Sequence, residues 1–255
     1  MSLSSRRNTL RIGGSGLLSG VLGLLAGCSA PSDGGTATPT GERILALGDS
    51  YTVGTSVPND ERWVTELVEK RREAGHTVAD PRVIAENGWT TGDLHEAIDG
   101  ALAGARSGGE GGAESENSVA DEYDLVTLLI GANNCFQEQP AGTFRPKFEA
   151  TLDRAIGFAP DPESVVVITV PDYTLTPVGR QNQPSEHASR LTAYNDIVED
   201  AAEAAGARLV DVVPPSREVI DRPELIAEDD LHPAPEQYEL WLDRIYPVAA
   251  DALAA

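Results

Sequence analysis

The stretch Arg43-Ile44-Leu45-Ala46-Leu47-Gly48-Asp49-Ser50 decides the fold class. Its apolar run is too short for a helix and lacks polar alternation, as in a strand covered on both faces. Gly48 and Asp49 break the run, so the strand ends in a turn with Ser50 at its exit. Residues 125–130 repeat the pattern and stop at Gly131, and residues 165–170 repeat it and stop at Pro171. Weaker strands are expected at 82–85 and at 208–213, the latter stopping at Pro214.

Helical patterns separate these runs. Trp63, Leu67 and Val68 fall at helical spacing, with Asn59 or Asp60 as cap and Gly75 as terminator. Further helices are expected from near Gly92, over 143–158 and 185–205, and from Pro235 towards the C-terminus. This alternation predicts an α/β fold, a doubly wound, mostly parallel sheet between helices. Sites in such sheets sit beyond the carboxyl ends of the strands, which singles out the segments after Leu47, Ala85 and Ile130.

Upstream of the first strand, Arg6, Arg7 and Arg11 precede an apolar stretch over 12–26 that is short for a membrane span. Leu25-Ala26-Gly27-Cys28 resembles the lipobox of prokaryotic lipoproteins, in which the thiol is acylated, and Ser5-Arg6-Arg7-Asn8-Thr9-Leu10 resembles a twin-arginine export signal. The expected organisation is an export signal with lipobox over 1–28, a flexible tether over 29–41 and one domain over 42–255, with a mobile insertion at 105–121. The expected location is the outer face of the cytoplasmic membrane, held by lipidated Cys28. Cys135 is the other cysteine and lies within the domain, which argues against a disulfide framework.

The 19 basic and 41 acidic residues give a formal net charge of -22, which opposes binding to phosphate backbones and makes nucleic acid an unsuitable partner. Lys70 and Lys147 are the sole lysines, and acids crowd Asp196, Glu199, Asp200 and Glu203. This reads as a surface adapted to high salt, the alternative being an ordinary acidic secreted protein.

Serine-based acyl transfer needs an exposed hydroxyl, a base, a carboxylate to orient the base, and donors for the developing oxyanion. Ser50 can supply the hydroxyl at the functional edge of the sheet, or can serve as a helix N-cap. His232 stands in the loop Asp229-Asp230-Leu231-His232-Pro233, where Asp229 can fold back onto the ring Nδ1; Asp230 is the rival carboxylate, and a plain acidic turn is the alternative. Gly88 in Asn87-Gly88-Trp89-Thr90-Thr91-Gly92 and Asn133 in Gly131-Ala132-Asn133-Asn134 are candidate oxyanion donors, with Gly92 as rival and ordinary turn roles as the alternative.

The order of these blocks resembles that of the SGNH hydrolases, also called the GDSL lipase and esterase family. Gly48-Asp49-Ser50 matches the first block, Gly88 the second, Gly131-x-Asn133 the third and Asp229-x-x-His232 the last, so the likeness spans the domain. The resemblance implies a flavodoxin-like sandwich and cofactor-free hydrolysis of acyl esters. It implies Ser50 as nucleophile, His232 as base and acid, Asp229 as orienter, and the Ser50 N–H, Gly88 N–H and Asn133 side chain as oxyanion donors. Asn134 stands where the family more often has Asp, a change expected to alter loop bonding.

His76, His95 and His187 have no second ligand at metal spacing, so no metal site is expected and these side chains are expected to be solvated. Trp89, Phe136 and Tyr173 follow strand ends and can line an acyl or sugar pocket or pack in the core. Cys135, near Asn133, is a nucleophile in principle, but no His neighbours it in sequence and a buried, inert thiol is the expected reading. The expected partners are a small-molecule, glycan or lipid acyl ester and a membrane met through the anchor, and the expected state is a monomer. The competing reading is a lipid-anchored solute-binding lipoprotein without catalysis, for which this chain is short. No Gly-x-Ser-x-Gly elbow and no Gly-Lys-Ser/Thr phosphate loop occurs.

Overall fold

The computed structural model describes residues 41–107, 122–181 and 184–254. The expected export signal and lipobox, the tether up to residue 40, and residues 108–121 of the expected insertion lie outside the described residues.

Five strands, β1 (Ile44–Gly48), β2 (Arg82–Ala85), β3 (Leu125–Leu129), β4 (Val165–Ile168) and β5 (Arg208–Val210), form one sheet in the order β2-β1-β3-β4-β5. Every pairing is parallel, so the expected fold class is the observed one. The central strands β1, β3 and β4 are buried along their whole length, which is why their sequences read as unbroken apolar runs. The edge strands β2 and β5 carry half-buried and exposed residues and read more weakly.

Helices α1 (Ser50–Val53), α2 (Trp63–Glu73), α3 (Thr91–Ser107), α4 (Ala132–Phe136), α5 (Ala141–Ile156), α6 (Pro184–Ala205), α7 (Val213–Ser216) and α8 (Pro235–Ala252) complete the domain. α2 packs on α8, while α3 packs on α5 and α5 on α6. The β1-to-β2 crossover runs one way along the sheet and the β2-to-β3, β3-to-β4 and β4-to-β5 crossovers the other. Right-handed connections therefore put α2 on one face and α3, α5 and α6 on the opposite one, and α8 returns to pack on α2. Trp63, Tyr238 and Trp241 are fully buried in the first group, and the Phe144 and Tyr194 rings stack at 3.9 Å in the second.

Three local expectations are corrected. The N-cap of α2 is Arg62 without a side-chain cap bond, not Asn59 or Asp60; Asn59 instead offers its carbonyl to the Thr65 hydroxyl at 2.7 Å. β5 ends at Val210 and does not reach Val213, because Asp211 accepts the Val213 N–H at 2.8 Å and turns the chain into α7. α3 continues to Ser107, three residues into the expected insertion.

The strand order reverses between β1 and β3, where Gly48 pairs with Leu129 at the carboxyl edge. Such a reversal opens the crevice in which doubly wound folds place their sites. Gly48 permits a close approach there: a Cβ on it would lie 2.1 Å from Thr52 Oγ1 and 2.5 Å from the Leu129 carbonyl oxygen.

Candidate active site

At the end of β1, Asp49 takes the N-cap role, its carboxylate accepting the Tyr51 N–H at 3.0 Å. Ser50 is therefore the first residue of α1 and not its cap, and its hydroxyl is left for another partner. That partner is His232, whose Nε2 lies 2.9 Å from Ser50 Oγ although 182 positions separate the two residues. Both are buried, and the Tyr51 ring packs against the imidazole at 5.4 Å between centroids.

The His232 loop is held from several sides. The Ala227 N–H donates to the His232 carbonyl at 2.8 Å, the Ala234 N–H to Leu225 at 2.8 Å, and the Val178 N–H to Asp230 at 3.1 Å. Asp229 folds back within this loop: its Oδ2 is 2.6 Å from His232 Nδ1, and its Oδ1 accepts the N–H groups of Leu231 and His232 at 3.0 and 2.9 Å. A carboxylate on Nδ1 fixes the tautomer that leaves Nε2 as an acceptor for the Ser50 proton. Asp230, the rival carboxylate, instead occupies the left-handed backbone region (φ 61°) and is exposed.

A residue that sequence reasoning missed completes this carboxylate's surroundings. The Ser56 hydroxyl donates to Asp229 Oδ2 at 2.5 Å across 173 positions. Burial alone would raise the Asp229 carboxyl, but the hydrogen bonds from Ser56, His232 and Leu231 outweigh it and hold the group down at about 2. Asp49 moves the other way: complete burial pushes it up to about 7, and among the described residues its Oδ2 has no hydrogen-bond partner.

Asn133 stands on α4, directly after β3, and its Nδ2 donates to the Trp89 carbonyl at 2.9 Å. This uses one amide proton and leaves a second for a ligand. Ser50, Asn87, Asn133 and His232 line a common cavity of about 100 Å³, walled by Phe136, Tyr173 and Leu231. Gly88 follows Asn87 with φ 88°, a conformation that favours glycine, and among the described residues no backbone acceptor takes its N–H. Gly88 and Trp89 do not line the cavity; Trp89 packs against the core. Gly92 lies in the first turn of α3, an ordinary structural position.

Asn134 is fully buried and uses both ends of its amide, accepting from the Thr91 N–H and donating to the Thr91 hydroxyl, each at 3.0 Å, and to Gln139 Oε1 at 3.1 Å. An ionised Asp has no proton to give in the last two bonds. Cys135 is buried, and burial pushes its thiol above the ordinary range, as suits an inert side chain.

His187 overturns one expectation: it is 2 % exposed, not solvated. Its Nδ1 lies 3.0 Å from the hydroxyl of Tyr173, so it backs the cavity wall. The signal was present, since His187, Leu191, Tyr194 and Val198 share one buried stripe of α6. His76 is exposed and pairs with Glu42 at 3.1 Å, and His95 is 3.8 Å from Asp99. Among the described residues, no three His, Cys, Asp or Glu side chains are grouped to hold a metal ion.

The sequence profile of the GDSL-like lipase/acylhydrolase family matches residues 46–240. An arylesterase from Vibrio mimicus is 26% identical over 204 residues, covering 78% of this chain and 84% of the relative. Among solved structures, a lipolytic protein of the G-D-S-L family from Veillonella parvula superposes with a TM-score of 0.64 at 15% identity, covering 82% of this chain and 98% of that one. An acetylxylan esterase from Geobacillus stearothermophilus superposes with a TM-score of 0.57 at 17% identity, covering 84% and 95% respectively.

Proposed function

Since this chain belongs to the GDSL-like lipase/acylhydrolase family and is a carboxylic ester hydrolase, we propose that Ser50 is its nucleophile, His232 its base and acid, and Asp229 the group that orients the imidazole. The observation that carries this reading is the chain of hydrogen bonds from Ser50 Oγ through both His232 nitrogens to Asp229, at 2.9 and 2.6 Å.

In the proposed reaction the Ser50 oxygen bonds to the acyl carbon while His232 Nε2 takes its proton. The Ser50 N–H and the free Asn133 amide proton hold the negative oxygen of the tetrahedral intermediate, and the Gly88 N–H, next to the cavity-lining Asn87, is the third donor that the family pattern supports. Its collapse breaks the bond to the alcohol, which leaves with the proton from His232. Water then attacks the acyl-enzyme by the same route in reverse and frees Ser50. Protein groups supply every proton and charge that this sequence needs, so it calls for no cofactor. A solute receptor has no use for such a hydrogen-bonded hydroxyl, and family membership decides against that alternative.

The substrate class proposed is a small acyl ester. The cavity, about 100 Å³, gives room beside Ser50 for a short acyl group, and Tyr173 forms part of its wall. The name of one structural neighbour, an acetylxylan esterase, points the same way. Hydrolysis of a p-nitrophenyl ester series tests both parts: acetate and butyrate are turned over faster than octanoate, and Ser50→Ala loses the activity. A Ser50→Ala protein that turns over acetate at the wild-type rate overturns the assignment.

The enzyme is further proposed to work as an exported monomer, tethered by acylated Cys28 through residues 29–41, with a salt-adapted surface; the sequence around Cys28 and the net charge of -22 support this. Cys28→Ser should move the protein from the membrane to the soluble fraction, and activity should rise on adding salt to dilute buffer. Retention in the membrane or indifference to salt refutes the respective part.

A further inference from the structure

We propose that Ser56 is a positioning residue for ester hydrolysis, fastening the Asp229 carboxylate to the segment that carries Ser50. The inference rests on the catalytic roles given above to Ser50, His232 and Asp229, and concerns a residue outside all four family blocks.

Asp229 accepts four hydrogen bonds, and three come from its own loop: two from backbone N–H groups of Leu231 and His232 and one from the His232 ring. The fourth, from Ser56 Oγ at 2.5 Å, joins the Asp229 loop to the other side of the site. Ser56 is itself tied to the nucleophile. The Gly54 and Thr55 N–H groups donate to the Ser50 carbonyl at 3.0 and 3.1 Å, and the Val57 N–H donates to Gly54 at 3.2 Å. Ser50 and Asp229, which never touch, are thus linked through a short turn as well as through His232.

The backbone supports a dedicated contact. Ser56 has φ 70°, in the left-handed region that non-glycine residues enter at a cost, and Asp230, next to Asp229, has φ 61°. Each end of the Ser56–Asp229 bond is therefore flanked by or built on such a residue. Both residues are exposed, so burial of apolar surface does not account for the arrangement. The Ser56 bond ends on Oδ2, the same oxygen that meets His232 Nδ1. Losing it leaves Oδ2 held by the imidazole alone, with the backbone bonds on Oδ1 as the pivot, so the carboxylate and the ring it aims at Ser50 are less tightly fixed.

The test is a double-mutant cycle. Ser56→Gly removes the hydroxyl and relaxes the left-handed backbone, so the fold is kept. It should lower kcat about tenfold, with KM within about twofold and an unchanged melting temperature. Ser56→Ala should lose as much kcat, which excludes the backbone as the cause. In an Asp229→Ala background, Ser56→Gly should cost no further activity, because its effect passes through Asp229. Wild-type kcat in Ser56→Gly, or an equal loss in both backgrounds, overturns the proposal. The assignment of Ser50, His232 and Asp229 fails separately, through an active Ser50→Ala protein.

Discussion

Asn134 and Thr91 are joined by two hydrogen bonds that run in opposite directions, both 3.0 Å long and both buried. The pair ties the start of α4, which bears Asn133, to the start of α3, which follows Gly88. The two proposed oxyanion donors on different segments thus keep a common spacing through a third residue that does not line the cavity. Asn134→Ala removes the acceptor of the Thr91 N–H and the donor to Gln139 Oε1, and should destabilise the fold by about 1–3 kcal/mol. Urea unfolding measures this, and kcat should fall alongside stability.

Asn133→Ala should separate the two properties. The fold loses one hydrogen bond to the Trp89 carbonyl, worth about 0.5–1.5 kcal/mol, while the barrier to acyl transfer rises by roughly 2.7–4 kcal/mol. Thermal melting of the variant should stay near that of the parent, with kcat lower by about 10²–10³.

Asp49 predicts a pH dependence of stability. Its folded pKa, about 7, lies above the ordinary carboxylate value of 3.8, so the unfolded chain releases this proton first. The group's contribution is therefore fully favourable below about pH 4 and is lost as pH rises towards 7. Asp49→Asn keeps an oxygen to accept the Tyr51 N–H and cannot ionise. Urea midpoints between pH 5 and pH 8 should fall for the wild type and change much less for Asp49→Asn.

Phe136 is 38 % exposed and stands at the rim of the cavity, so truncating it should disturb the fold little. Phe136→Ala should raise kcat/KM for p-nitrophenyl octanoate relative to acetate, each added methylene that becomes buried contributing up to about 0.8 kcal/mol. An unchanged chain-length profile would place the selective wall elsewhere.

The fold was legible wherever tertiary contact and local pattern agree. β1, β3 and β4 are buried on both faces and announce themselves as apolar runs. The expected strand runs past the end of β5 because Val212 and Val213 continue its apolar run, while Asp211, bonded to Thr169 on the neighbouring segment and to the Val213 N–H, ends it. Ser50, Asp229 and His232 each lie in a compact block and could be found one block at a time. Ser56 could not, because a serine in a Gly-Thr-Ser-Val loop gives no sign of a carboxylate 173 positions away. The burial of His187 departs from expectation for a different reason: its helical stripe is apolar, but the polarity of an imidazole argues for solvent.

The central claim is that Ser50 attacks the acyl carbon with His232 as its base. Mass spectrometry of the intact protein after exposure to a fluorophosphonate tests it most directly. Wild-type protein should gain a single adduct on Ser50, His232→Ala should label far more slowly, and Ser50→Ala should gain none. An adduct that forms on Ser50→Ala at the wild-type rate would contradict the account.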